Sequence, residues 1–131
     1  MSESPSPRAG VPAPESPDSS LLRTLMETSP DRIYFKDRES RIVRNNAAHA
    51  RSLGAPSPEA CTGRTDFDFF SREHAERAFD DEQRIIRTGE PIIAKVERTT
   101  RLDGRRGWAS TTKLPWRDAA GAIIGTFGVT R

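Results

Sequence analysis

The hydrophobic pattern of the chain divides into three helical stretches and five extended ones. In 19-SSLLRTLMETSPD-31, Leu21, Leu22, Leu25 and Met26 fall at i, i+1, i+4 and i+5. Ser19 or Ser20 is placed to cap this helix and Pro30 to stop it. The stretch 32-RIYFKD-37 alternates and is rich in strand formers, and 41-RIVRN-45 follows a charged turn, which predicts a hairpin. A short helix over 46-NAAHARSLG-54 is capped by Asn45 or Asn46 and closed by Gly54. The two prolines of 55-APSPEACTGRTDFDFF-70 leave room only for single helical turns. A longer helix covers 72–88, with Ala75, Ala78, Phe79, Ile85 and Ile86 at helical spacing, Gln83 as a polar break, Ser71 as N-cap and Gly89 beyond its end. Three strands remain, 92–101, 106–116 and 122–130, joined by turns at Asp103-Gly104 and 118-DAAG-121.

This order predicts an α+β domain, a five-stranded antiparallel sheet with helices packed on one face and a leading N-terminal helix. With 131 residues there is room for one core, placed at 19–131. Residues 1–18 carry Ser, Pro, Ala and Gly with one isolated Val11, too little apolar surface to offset chain entropy, and are expected to form a disordered leader.

Charge narrows the choice of partners. Charged residues make up 31% of the chain, yet the formal net charge is only +2. That balance lacks the one-sided basic field of a nucleic-acid grip. The arginines of 98-RTTRLDGRR-106 interleave with acids and read as a solvated hairpin tip. The single cysteine, Cys61, excludes an intrachain disulfide and a Cys-rich metal site, and reads as an inert buried thiol. No apolar run approaches the roughly 20 residues of a membrane span, and the N-terminus has neither a basic nor an apolar signal region, so a cytoplasmic protein is expected.

The stretch 64-RTDFDFFSREH-74 is the most suggestive chemically. Asp66 and Asp68 with His74 could hold a metal, but a second ligand cluster at metal spacing is lacking. Paired-carboxylate catalysis would need a nucleophile and base partner that the sequence does not offer, so no enzyme is expected. The simpler role is structural, since acids beside a helix start cap it and contribute about 0.3–1 kcal/mol.

Taken in order, 30-PDRIYFKD-37, 42-IVRNN-46, 63-GRTDFDFF-70, 88-TGEP-91, 108-WASTTKLPWRD-118 and 121-GAIIGTFGV-129 resemble the PAS domain, the sensory module of bacterial signalling proteins. The resemblance implies a small pocket between the sheet and the central helices, used in the family for haem, flavin, small organic acids or lipids. It also implies pairing through the outer sheet face and leading helix, and an attached kinase, cyclase or phosphatase. Flavin photosensors carry a reactive cysteine three residues after a glycine; here Gly63-Arg64-Thr65-Asp66 puts aspartate there. Haem-binding members carry their axial histidine ten residues before a Thr-Gly pair, a position held here by Ala78; His74 should point elsewhere, and His49 reads as a polar-face residue. Both cofactors are therefore disfavoured.

By the same resemblance Asp66 faces the pocket, and Ala109, Thr111 and Lys113 point inward, whereas hydrophobicity alone would turn Trp108 and Leu114 inward. A buried Lys113 needs a partner, with Asp66 or Asp68 the nearest choice. The implied pocket set is Ile33, Phe35, Val43, Asp66, Phe67, Phe79, Ile86, Thr111, Lys113 and Phe127, the apolar members being core residues in any version of the fold. Phe127 stands where flavin-binding members use a polar residue, which favours a small apolar or amphipathic ligand or a self-filled core. Leu21, Leu22, Leu25 and Met26, with Trp108 and Trp116 on the sheet, are the expected homodimer surface. The chain reads as a sensory and dimerisation module acting on a histidine kinase, diguanylate cyclase or phosphatase, or else as a ligand-free scaffold for protein contact. Family members continue past the last strand into a signalling helix and effector, so a fragment of such a protein is expected.

Overall fold

The structure, a computed structural model, describes residues 14–131. Most of the expected leader lies outside the described residues. The first helix, α1 (Pro17–Thr28), starts earlier than the pattern suggested, because Ser16 is its cap and accepts from Ser19 N at 3.1 Å. Then come β1 (Arg32–Asp37), β2 (Ile42–Asn45), α2 (Ala47–Leu53), 3-10 turns at Glu59–Cys61 and Asp66–Asp68, α3 (Arg72–Thr88), β3 (Ile92–Thr100), β4 (Arg106–Arg117) and β5 (Ile123–Thr130). The five strands form one antiparallel sheet in the order β2-β1-β5-β4-β3. This is the expected α+β architecture.

The helix ends follow local chemistry. Asn46 caps α2 by accepting from His49 N at 2.9 Å, and the same oxygen accepts from Ile33 N at 3.0 Å, which ties α2 to β1. Ser71 caps α3, and Gly54 and Gly89 end α2 and α3 in the left-handed conformation that glycine adopts without strain. A small apolar cluster of Ile42, Ala50, Leu53 and Cys61, with Phe69 and Phe70 against it, anchors α2 and the 3-10 turns to β2.

Register decides which side chains look inward. Cross-strand partners share a face, and Tyr34, Lys36, Thr111 and Lys113 pair with Gly128, Thr126, Thr130 and Gly128 respectively on the side covered by α2 and α3. Phe35 pairs with Phe127, Ile33 with Val129 and Leu114 with Phe127 on the opposite, outer side. Phe35 stacks on Phe127 at 5.3 Å between centroids, and Trp116 meets Phe35 edge-on at 5.6 Å. The expectation that Ile33, Phe35 and Phe127 wall the pocket is therefore corrected: they belong to the outer face. The family register of β4 holds, with Ala109, Thr111 and Lys113 buried and Trp108 70% exposed.

Gly128 is where the inner face is tightest, since a Cβ there would run into the Tyr34 ring. Gly128→Ala is expected to destabilise the domain by about 1–3 kcal/mol through overpacking. Urea denaturation should show this as a lower midpoint at unchanged slope.

Candidate functional site

The inner face carries charge where a hydrocarbon core would be expected. Lys36 is 2% exposed and Glu82, on α3, 1%. Glu82 Oε2 accepts from Lys36 Nζ at 2.8 Å and from Lys113 Nζ at 2.7 Å, and Asp66 Oδ1 lies 3.1 Å from Lys36 Nζ. The predicted partnership of Lys113 with Asp66 or Asp68 is thus corrected. Lys113 is inward, as the resemblance implied, but Glu82 holds it and Asp66 holds Lys36. Asp68 does the capping work expected of an exposed acid, accepting from Thr65 N at 2.9 Å.

Each position follows from local structure. The buried face of α3 runs His74, Ala75, Ala78, Glu82, Ile85, a helical stripe in which 82 falls one turn after 78. Strand alternation puts Lys36 on the same side as Tyr34. The 3-10 turn after Thr65 delivers Asp66 to the top of β1. Two ammonium groups and two carboxylates cancel, which is the condition under which four buried charges are tolerated.

Burial and pairing oppose each other in the titrations. Burial alone would push the Lys36 ammonium down, but Asp66 and Glu82 outweigh it and hold its pKa above the ordinary lysine value. Lys113 is likewise raised, burial being overcome by Glu82. Burial would raise Asp66, and Lys36 and Lys113 reverse the sign and keep it below the usual carboxyl value. Tyr34 is raised by burial. His49 has no compensating partner of that strength, and burial pushes it down to about 3.

A cavity of about 40 Å³ lies against this face, lined by Tyr34, Lys36, His49, Asp66, Thr111 and Lys113 among others, enough for a few water-sized groups. Tyr34 Oη and Thr111 Oγ1 lie 3.0 and 3.3 Å from Thr130 Oγ1. His49 lies against Tyr34, 4.6 Å between centroids, with Nδ1 3.1 Å from Asn45 Nδ2. His74 packs on Phe70 at 4.3 Å. Both histidines line the cavity, which corrects the readings of His49 as a polar-face residue and of His74 as pointing elsewhere. Position 74 is the third residue after the cap Ser71 and so joins the Ala75–Ala78 face.

A second cavity of about 70 Å³ lies on the other side of the ion cluster, with Phe67 and Phe79 at its rim. Both phenylalanines are partly exposed rather than core. Val43 is exposed at the bulge between β1 and β2, and Ile86 is half-buried beside the inward Ile85; neither lines either cavity. Arg101 also departs from the solvated-hairpin reading: its guanidinium donates to Ser52 O at 2.8 Å and Leu53 O at 3.0 Å, closing the C-terminus of α2. Of the expected dimer stripe, Leu21, Leu22 and Leu25 are exposed but Met26 is buried against the domain.

Comparison with known proteins agrees with this geometry. The family model for the PAS fold matches residues 26–131. The chain is 33% identical over 110 residues to the methanogenesis regulatory histidine kinase FilI of Methanothrix harundinacea (strain 6Ac), covering 84% of this chain and 12% of that one. The structure of VqmA bound to DPO superposes with a TM-score of 0.75 at 28% identity, over 86% of this chain and 56% of that one. A PAS domain from Colwellia psychrerythraea superposes at 0.71 with 17% identity, over 86% and 93%. The chain belongs to the PAS fold family, and it spans about an eighth of the length of the curated kinase it matches.

Two outcomes follow from the cluster. Glu82→Ala strips two buried lysines of their shared partner and is expected to cost about 3–5 kcal/mol, read from urea denaturation at pH 7. In acid, a histidine depressed in the folded state has its full stabilising effect above its unfolded pKa near 6.5 and loses it as pH falls towards 3. His74, lowered by burial, and at lower pH Asp66 act in the same direction. Stability should therefore fall from pH 6.5 downward, and His49→Gln should flatten that slope by about 1.4 kcal/mol per pH unit, one proton's worth.

Proposed function

We propose that this PAS domain is a sensory module in which a small ligand in the inner cavity biases the activity of an attached or associated effector. The observation that carries the reading is the polar inner face. Tyr34, Lys36, Thr111, Lys113 and Thr130 present hydrogen-bonding groups to a cavity at the centre of the domain, where a purely structural core would gain more from hydrocarbon. Similarity to VqmA, whose structure contains DPO, supports a small-molecule role, and similarity to FilI favours a histidine kinase over a cyclase or phosphatase as effector. The lining favours a small amphipathic ligand, since His49, Phe70, His74 and Tyr34 offer ring faces between the charged groups, and a body larger than a few heavy atoms would have to displace lining side chains. An apolar ligand does not suit it.

The dimer belongs to the same reading. Phe35, Leu114, Trp116 and Phe127 make a half-buried apolar face on the outer side of the sheet, and Leu21, Leu22 and Leu25 extend exposed apolar surface along α1. Pairing there would let occupancy of the inner face shift a population of dimer arrangements. A second reading, a ligand-free scaffold for protein contact, draws on the small volume of the cavity.

Native mass spectrometry with an absorption spectrum of the purified protein, followed by a thermal-shift screen of small polar heterocycles and acids, separates the two. The sensory reading expects a co-purifying mass or a hit whose stabilisation is lost in Lys113→Met. No mass and no hit would leave the scaffold. Phe127→Glu, which places a charge on the outer face, is expected to shift the protein from dimer to monomer in analytical ultracentrifugation.

A further inference from the structure

The second cavity differs from the inner one in its chemistry. Lys36 and Asp66 wall both, but Glu82 lines only this one, together with Ala75, Phe67 and Phe79. Glu82 Oε2 takes both lysine ammonium groups, while its buried Oε1 has no hydrogen-bond partner among the described residues. A buried carboxylate oxygen without a donor is costly, and a donor in the adjoining space removes that cost.

The rest of the lining says which kind of donor. Lys36, the only ammonium on the wall among the described residues, is already held by Asp66 and Glu82, so it offers little to an anion. Lys36 and Lys113 balance Asp66 and Glu82, and Glu39 at the edge adds one exposed carboxylate to the wall. Ala75 forms a closed apolar floor, and Phe67 and Phe79 leave ring surface partly open at the rim. Rings of this kind attract a cation on their faces and an alkyl chain at their edges.

We propose that this cavity is a second binding site, separate from the inner sensory pocket, for a small primary ammonium compound. The nitrogen donates to Glu82 Oε1, and a short apolar body of a few heavy atoms rests on Ala75 between Phe67 and Phe79. The cavity of about 70 Å³ limits the ligand to this size. A molecule with so few atoms binds in the roughly millimolar range.

The test is a ¹H–¹⁵N correlation titration of the full 131-residue chain with n-propylammonium chloride at constant ionic strength, beside 1-propanol and sodium propionate. The expected result is saturable movement of the Phe67, Ala75 and Phe79 amides with propylammonium, at least about tenfold weaker with the alcohol and absent with propionate. Ala75→Val narrows the cavity and leaves every charge in place, and should weaken the propylammonium response about tenfold; Glu82→Gln should do the same. If Glu82→Gln does not fold, Ala75→Val decides alone. No saturable shift, an equal response to propanol, or a response indifferent to Ala75→Val overturns the proposal. Shifts confined to Tyr34, Thr111 and Lys113 also overturn it, while leaving the inner pocket standing.

Discussion

Two lysines and Glu82 are buried together between the sheet and α3 with Asp66 largely covered beside them, and each depends on the others for its place there. Removing an ion from water costs several kcal/mol, and only close opposite charge and hydrogen bonding return it. Lys113 reaches across from β4 and Lys36 from β1, and both end on one oxygen of Glu82. Asp66, delivered by a 3-10 turn, completes the balance on Lys36. The cluster therefore joins two non-adjacent strands, the long helix and the connecting segment at one point. It separates the two core cavities, and it sets the polarity of both.

The elements were largely legible because their signals are local. Ser71, Asn46, Gly54 and Gly89 announce helix ends by chemistry confined to a few residues, and the alternation of 32-RIYFKD-37 marks a strand by itself. The side of the sheet was harder. Alternation puts Ile33 and Phe35 on one face and Tyr34 and Lys36 on the other, and hydrophobicity favours the first pair as the inward one. The opposite assignment holds because Gly128 and Thr126 leave room under Tyr34 and Lys36, while Phe35, Phe127 and Trp116 cover one another outside. Both faces of this sheet carry apolar residues, so hydrophobicity alone cannot choose between them.

Part of the ion cluster was also within reach. Glu82 occupies the stripe position between Ala78 and Ile85, where an apolar residue would be expected, and an acid there calls for a buried cation. Lys36 stands on the Tyr34 side by alternation, and the family register turned Lys113 inward. Those three positions together imply the pairing that Asp66 alone could not supply. Arg101 had no such signal. Its contact with the Ser52 and Leu53 carbonyls joins segments almost fifty residues apart, and nothing in the hairpin around it marks that reach.

In a strand, the residues that face the cavity and those that face outward are chain neighbours. Lys113 adjoins Leu114, and Thr126 and Gly128 flank Phe127. The inner polar wall and the outer aromatic face are therefore one backbone apart along β4 and β5. A ligand that re-pairs Lys113 or displaces the Tyr34 ring need not send a signal through a long path. The strand it moves also carries the outer aromatic face proposed above for pairing. Glu82 adds a second route, since the same carboxylate that fixes Lys113 fixes α3 against the sheet. A hydrocarbon core would hold these layers together more cheaply, but without directional bonds it would tolerate sliding without changing state. A hydrogen-bonded charge cluster has discrete arrangements, and discrete arrangements are what a sensory domain requires.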